Sequence, residues 1–442
     1  MKTLVLIDND PLSRALLSQC LAGGGWRVFE SDTGEAGLML VQEHRPNAVL
    51  CDLRTPKGNG FKVCRRIREE GQLKGTRVVL TGVSRFANDR ETALAAGADD
   101  YLIKPIKPAD LLATLARAQD SAALAPAPAP AADGPVKIRF WGVRGSIPTP
   151  GHGTNIFGGN TSCVEVRIGS DIIILDAGSG LRGLGKAIMR EANGQSMNIS
   201  MLVTHTHWDH IQGFPFFIPA YNPKMNVRIL GYEGAVHGLR GALFEQMQSA
   251  FFPVGLNQMA SHVIFEELED MQFDLGAAKV RTIFANHPGI CLAYRLSTAK
   301  GDIVYMPDHE VYERHERERQ KVANENSEPG IDYARSQDEK VIDFLRDADV
   351  VISDSQYDRM EYPTRLGWGH TCADDTVDLA MRAGVKQLFL FHHDPDHDDA
   401  KIEAMVAEGQ AYVAKNGSSL IVSAAREGAE FLLERDAPSS RA

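Results

Sequence analysis

The chain has 442 residues, more than one hydrophobic core usually holds, so two or more domains are expected. Lys and Arg number 47 against 58 Asp and Glu, and the net charge of −11 excludes a general polyanion binder, which needs clustered cations. The start MKTLVLIDND turns acidic too soon for a signal peptide, and no run reaches membrane-spanning length. Cys20, Cys51, Cys64, Cys163, Cys291 and Cys372 show no C-x-x-C spacing. They are expected as free thiols in a reducing cytoplasm, with no membrane partner.

Over residues 1–120 the apolar runs TLVLI, AVLC, RVVLT and DYLI alternate with amphipathic stretches such as PLSRALLSQCLAG, FKVCRRIREEG and ADLLATLARAQ. Strands alternating with helices predict a doubly wound parallel sheet whose ligand site lies beyond the strand C-termini. The polar residues at those ends are Asp8, Asn9, Asp10, Asp52, Thr81 and Lys104, which precedes Pro105. Carboxylates suit Mg²⁺, and a lysine neutralises an incoming phosphoryl group.

In Asp8, CDLRTPKGNG, Thr81 and the Lys104-Pro105 pair, this unit resembles a response-regulator receiver domain of (βα)5 form. The resemblance implies that Asp52 is the phosphoacceptor, served by a sensor histidine kinase. Thr81 and Lys104 would be switch residues, Tyr101 the aromatic rotamer partner, and Asp8, Asp10 and Asp52 the Mg²⁺ ligands. The family usually carries two adjacent acids after the first strand; here the second is Asn9, with Asp10 following.

Residues 121–135, SAALAPAPAPAADGP, neither bury apolar surface nor form a helix, and are expected to be a stiff polyproline-like linker. Beyond it, over 136–435, runs such as DIIILDAG, ISMLVTH, DIVYMPD, DVVISD and QLFLFHH end in Asp or His. The stretch LVTHTHWDHIQGF places His205, His207, Asp209 and His210 within six positions, directly after a strand-like run. His287 in NHPG, Asp308 in MPDHE, His370 in GWGHT and His392 or His393 in FHHDP are further candidates. Burying each group separately would need a partner for each, whereas shared cations satisfy them together. Two cations about 3.5–4 Å apart activate water and brace both oxygens of a displacement.

The H-x-H-x-D-H motif, following a strand and opening a helix, is similar to that of the metallo-β-lactamase fold, a four-layer αβ/βα sandwich. The resemblance implies that His205, His207 and His287 hold one metal, that Asp209, His210 and His392 hold the other, and that Asp308 bridges them. His392 is preferred to His393 because LFLFH matches the family's last apolar strand ending in a ligand. Asp176 in LDAGSG is expected to support the metal loop by hydrogen bonding. With no cysteine in the set, the expected cofactors are two divalent metals, zinc first, with Mn²⁺ or Fe as substitutes.

DVVISDSQY and GWGHTCADDTVDLAMRAG supply Asp354 and His370, an arrangement similar to the branch holding the tRNA 3′-end endonuclease RNase Z and small-molecule phosphodiesterases. It implies that His370 is a general acid oriented by Asp354, with Asp209 as a further catalytic group. Arg144 in GVRGSIP, and Asn160 and Thr161 in FGGNTSC, are candidates for steadying a phosphate. The charged stretch between Glu310 and Lys340 reads as a solvated helix and loop, with a position that also suits a lid. The expected protein is a homodimeric response regulator. Its output would be a binuclear metal phosphodiesterase acting on a small phosphodiester such as a cyclic nucleotide, controlled through Asp52. The alternatives are an RNA endonuclease of the RNase Z type, an ester or thioester hydrolase, and a non-enzymatic metal-binding signalling protein.

Overall fold

The computed structural model describes residues 2–53, 55, 60–70, 73, 75–82, 93–94, 96–104, 106–116, 135–231, 238–268, 271–324 and 328–433. The chain divides into two compact units, Met1–Ala129 and Pro130–Ala442. Of the Ala/Pro linker, only Pro135 is among the described residues.

The first unit is a parallel sheet of β1 (Lys2–Ile7), β2 (Trp26–Ser31), β3 (Ala48–Asp52), β4 (Arg77–Gly82) and β5 (Asp100–Ile103). Its strand order is β2-β1-β3-β4-β5. The period of two along β1 sends Val5 and Ile7 into one core layer and Leu4 and Leu6 into the other. Both faces are therefore apolar and both are covered by helices, as an all-parallel sheet requires. Asp8, Asp52, Thr81 and Lys104 lie at or just past the C-terminal ends of β1, β3, β4 and β5.

The second unit contains two seven-stranded sheets. The first has the order β11-β10-β9-β8-β7-β6-β19. Its strands are β6 (Val136–Gly142), β7 (Cys163–Ile168), β8 (Asp171–Leu175), β9 (Met197–Leu202), β10 (Met225–Gly231), β11 (His262–Glu267) and β19 (Glu430–Leu433). The second runs in sequence order from β12 to β18. It comprises β12 (Gln272–Leu275), β13 (Ala278–Phe284), β14 (Leu292–Thr298), β15 (Gly301–Met306), β16 (Val350–Asp354), β17 (Gln387–Phe391) and β18 (Ile421–Ala424).

The inner faces meet in one core that includes Ile138, Phe140, Val166, Leu296, Tyr305, Ile352 and Phe391. Outside the first sheet, Ile172, Ile174, Ile199 and Met201 pack on Leu184 and Ile188 of helix Leu181–Ala192. Outside the second, Val351, Leu388 and Leu390 pack on Val341, Val377 and Met405 of three helices. The result is the four-layer αβ/βα sandwich. The charged stretch forms helices Tyr312–Ala323 and Glu328–Leu345, and the buried Asp338 of the second accepts the N–H groups of Tyr312 and Glu313 to cap the first. Among the described residues no helix is long and apolar enough to cross a membrane.

Candidate metal centre and receiver pocket

In the first unit Asp8, Asp52 and Thr81 are buried at the sheet edge. Lys104 Nζ contacts Asp8 Oδ2 at 2.7 Å and also pairs with Asp52. Burial lowers the Lys104 pKa, but Asp52 and Asp8 outweigh it and leave the ammonium above its ordinary value. Two carboxylates that reach one ammonium are the oxygen-rich chemistry Mg²⁺ takes. Asp10 plays a more local part: it is exposed, and its Oδ1 accepts Ser13 N–H at 3.3 Å at the start of helix Pro11–Gly23. Tyr101 is buried within β5.

In the second unit the strand tips converge. The apolar β9 ends at Leu202, and the chain turns through Thr204 into His205, His207 and the short helix Trp208–Ile211 that carries Asp209 and His210. His287 follows β13, Asp308 follows β15, and His392 follows β17. Ligand atoms of His205, His207 and His287 lie within 4.8 Å of one another, as do those of Asp209, His210 and His392, and of His205, His210 and Asp308. Each triad therefore draws residues from both sheets.

Hydrogen bonds fix the outward nitrogen of three of the imidazoles. His210 Nδ1 meets Asp176 Oδ2 at 2.8 Å, His287 Nδ1 donates to Gly369 O at 3.0 Å, and His392 Nδ1 donates to Gln356 Oε1 at 2.9 Å. In each ring Nε2 is left to face the cluster. Nitrogens then face nitrogens: His287 Nε2 lies 3.0 Å from His207 Nδ1, and His210 Nε2 lies 3.3 Å from His392 Nε2.

Two buried atoms, His205 Nε2 and Asp308 Oδ1, have no hydrogen-bond partner, although Asp308 Oδ1 is 3.1 Å from His210 Nε2. Imidazole nitrogens and carboxylate oxygens that converge this closely are what divalent cations satisfy, and the N/O donor set fits two of them. Burial holds His205 and His207 below the usual imidazole range and His287 down to about 4, so all three are neutral. Burial also raises Asp209, but His210 and His392 outweigh it and keep the carboxylate ionised.

His370 lies beside this cluster. Its ring stacks on His392 with centroids 4.7 Å apart and meets His287 edge-on at 5.1 Å. Its Nδ1 is 2.7 Å from Asp354 Oδ2, and the same carboxylate accepts the N–H groups of His309 at 3.1 Å and Gln356 at 3.0 Å. Burial disfavours the imidazolium, yet Asp354 outweighs it and raises His370 to about 9.

Arg144, Thr161 and Asn160, expected to steady a phosphate, are held by other partners. Arg144 is fully buried, and its Nε and Nη1 are engaged by the carbonyls of Gly158, Asp394 and His397 at 2.6–2.9 Å, which ties loops together, while its buried Nη2 has no hydrogen-bond partner. Thr161 is also fully buried, its Oγ1 taken up by Ser179 N–H and Gln212 Nε2. Asn160 pairs with Glu427 and Ser179. His393 turns away from the cluster to Ala425 O at 3.1 Å.

Other residues have roles the sequence reading passed over. Gln356 orients His392, and the buried Glu310 accepts from Tyr362, Gly367 and Gly369. Asp176, by contrast, was expected from the sequence to support the metal loop, and it accepts from Thr204 and Tyr305 as well as meeting His210. Asp176 and His392 both have φ of 59°, a left-handed conformation uncommon for non-glycine residues.

Residues 4–116 match the family described as "Response regulator receiver domain", and residues 172–325 match "Beta-lactamase superfamily domain". The first unit is similar to the transcriptional regulatory protein AfsQ1 of Streptomyces coelicolor, 38% identical over 107 residues, or 24% of this chain and 46% of that protein. The chain thus spans about half the length of the receiver-bearing relatives it matches. The second unit is similar to Ribonuclease Z of Thermoplasma acidophilum, 26% identical over 294 residues, covering 60% of this chain and 89% of that protein. Among solved structures, the metallo-β-lactamase fold protein YhfI from Bacillus subtilis matches at 19% identity and a TM-score of 0.47, covering 67% of this chain and 99% of that one.

Proposed function

Because the chain joins a response-regulator receiver domain to a metallo-β-lactamase-fold domain, we propose that it is a response regulator whose output is a metal-dependent phosphodiesterase. Its substrate is a small phosphodiester such as a cyclic nucleotide. The observation that carries this reading is the His370–Asp354 pair, 2.7 Å apart, beside two triads of metal-ligand type. An alkoxide leaving a phosphodiester needs a proton, and a raised imidazole pKa keeps that proton available at neutrality.

His205, His207 and His287 would hold one divalent cation, Asp209, His210 and His392 the other, and Asp308 would face both. Such cations, when bound, would supply Lewis-acid charge and an activated water. The chain's own groups do the rest. Asp209 is fixed by Ser146 N–H at 2.7 Å, Asp176 and Gln356 hold the two imidazoles of the second triad in register, and His370 delivers the proton. Asp354 keeps the His370 Nδ1–H in place, so Nε2 is the atom that donates.

In the receiver, phosphorylation of Asp52 by a sensor histidine kinase would place new negative charge beside Lys104 and shift the unit between two states. A second reading, cleavage of RNA, is favoured by the similarity to Ribonuclease Z and disfavoured by the chain's net charge of −11.

The test is a hydrolysis panel on zinc-replete full-length protein: cyclic mononucleotides, cyclic dinucleotides, a structured RNA and bis(p-nitrophenyl) phosphate. Turnover of cyclic nucleotides that His370→Ala abolishes while keeping its zinc is the expected result. Cleavage of RNA alone transfers the protein to the second reading, and inertness on every diester removes both. Equal turnover and assembly in Asp52→Ala and a phosphomimetic variant would remove the coupling.

A further inference from the structure

We propose that Glu310 is a positioning residue that clamps the Gly367–Gly369 turn and thereby sets where His370 delivers its proton, an inference that rests on the phosphodiesterase reading above. Glu310 is 3% exposed, a carboxylate buried two residues beyond Asp308. Its Oε1 accepts the Tyr362 hydroxyl at 2.7 Å and Gly367 N–H at 3.0 Å, and its Oε2 accepts Gly369 N–H at 3.1 Å. A buried anion is tolerated only when donors surround it, and here all three donors belong to the segment that leads into His370.

The turn needs such a clamp. Gly367 and Gly369 have φ of +80° and +85°, so the backbone beside His370 is of the kind least restrained by its own sterics. A methyl group at Gly369 would collide with His287 Nδ1, so the turn packs directly on that imidazole. Gly369 O accepts His287 Nδ1–H, so the placement of the turn is also felt by one of the metal triads.

Glu310 itself is anchored to the segment before His287. Its N–H donates to Asn286 O at 2.9 Å, and its carbonyl accepts Asn286 Nδ2 at 2.7 Å. Asn286 N–H in turn donates to His309 Nδ1 at 3.0 Å. The tripeptide Asp308-His309-Glu310 thus offers one side chain to the cations, one backbone N–H to Asp354 and one carboxylate to the turn carrying the acid. The chemistry demands a carboxylate: two acceptor oxygens serve three donors, whereas a glutamine would aim an NH2 group at a backbone N–H.

The experiment uses zinc-replete full-length protein and Glu310→Gln, with bis(p-nitrophenyl) phosphate and a cyclic mononucleotide as substrates. A p-nitrophenolate leaves without help and an alkoxide does not. Turnover of the cyclic nucleotide should therefore fall about 10- to 100-fold further than that of the aryl diester, with zinc content retained. The low-field imidazole proton of His370, identified by its loss in His370→Ala, should shift or broaden. An equal loss on both substrates, or an unmoved proton, overturns the clamp. Tyr362→Phe removes one donor of three and should give a smaller split of the same sign; it decides the matter if the glutamine variant does not fold. If the wild-type chain hydrolyses neither diester, the phosphodiesterase reading falls, and the imidazole proton alone still decides whether Glu310 positions His370.

Discussion

The backbone N–H of His309 donates to Asp354 Oδ2 at 3.1 Å, and that oxygen also receives His370 Nδ1 at 2.7 Å. The orientation of the proposed acid is therefore tied to the residue next to Asp308. Burial lowers the His370 pKa, the Asp354 charge raises it, and the charge prevails at about 9. Removing that charge in Asp354→Asn must move the pKa down, so the proton is lost at lower pH. The alkaline limb of the kcat/KM profile is expected to shift toward neutrality, with kcat reduced roughly 100-fold or more. A limb that stays where it is in the wild type would contradict the pairing.

Asp176 is fully buried and accepts from Thr204 N–H at 2.7 Å and Tyr305 OH at 2.9 Å, besides holding His210. Asp176→Asn turns one acceptor oxygen into a donor among donors. Zinc affinity should drop about 10- to 100-fold, the range for outer hydrogen-bond partners of ligands. Competition with a chelator of known affinity measures it.

Removing zinc with a chelator that spares Mg²⁺ should lower the unfolding temperature of the second unit and leave that of the receiver unchanged. A cation bound at 100 times its Kd contributes about 2.7 kcal/mol to the folded state. Calorimetry with and without chelator, followed by zinc replenishment, provides the readout; a single unchanged transition would mean that the buried donors bind no metal.

Arg144→Met should reduce thermal stability and spare substrate binding, because the guanidinium serves buried carbonyls. Losing three such bonds costs roughly 3 kcal/mol. A KM raised tenfold with an unchanged melting curve would return Arg144 to the phosphate.

Trp208 is 70% exposed although it stands between His207 and Asp209. An exposed indole between two candidate ligands suits stacking on a nucleobase, worth about 1–3 kcal/mol. Trp208→Ala should raise KM for a cyclic nucleotide roughly tenfold and leave an alkyl phosphodiester unaffected. Equal effects on both substrates would show that the ring has no preference for bases.

Periodicity carries the fold in this chain. Leu4 to Ile7, Ile172 to Leu175 and Leu388 to Phe391 are continuous apolar runs because both faces of their sheets are covered, and that pattern reads directly as buried strand. The polar residue ending such a run is equally visible, which is why His205, Asp308 and His392 stood out from the sequence. A cation among glycines does not reveal whether it points outward or inward, so the burial of Arg144 is not legible in the chain. Glu310 and Gln356 are inconspicuous in the chain. They act by touching Gly369 and His392, partners 59 and 36 positions away that only the folded molecule brings near.

His205 and His207 follow a strand of one sheet and His287 a strand of the other; Asp209 and His210 are likewise completed by His392 from across the sandwich. An ion held by either triad would be a rivet through both halves, which neither half could retain unaided. Any breathing that parts the layers at this rim would dismantle the proposed catalyst at the same moment, so a partly opened chain would be a silent one.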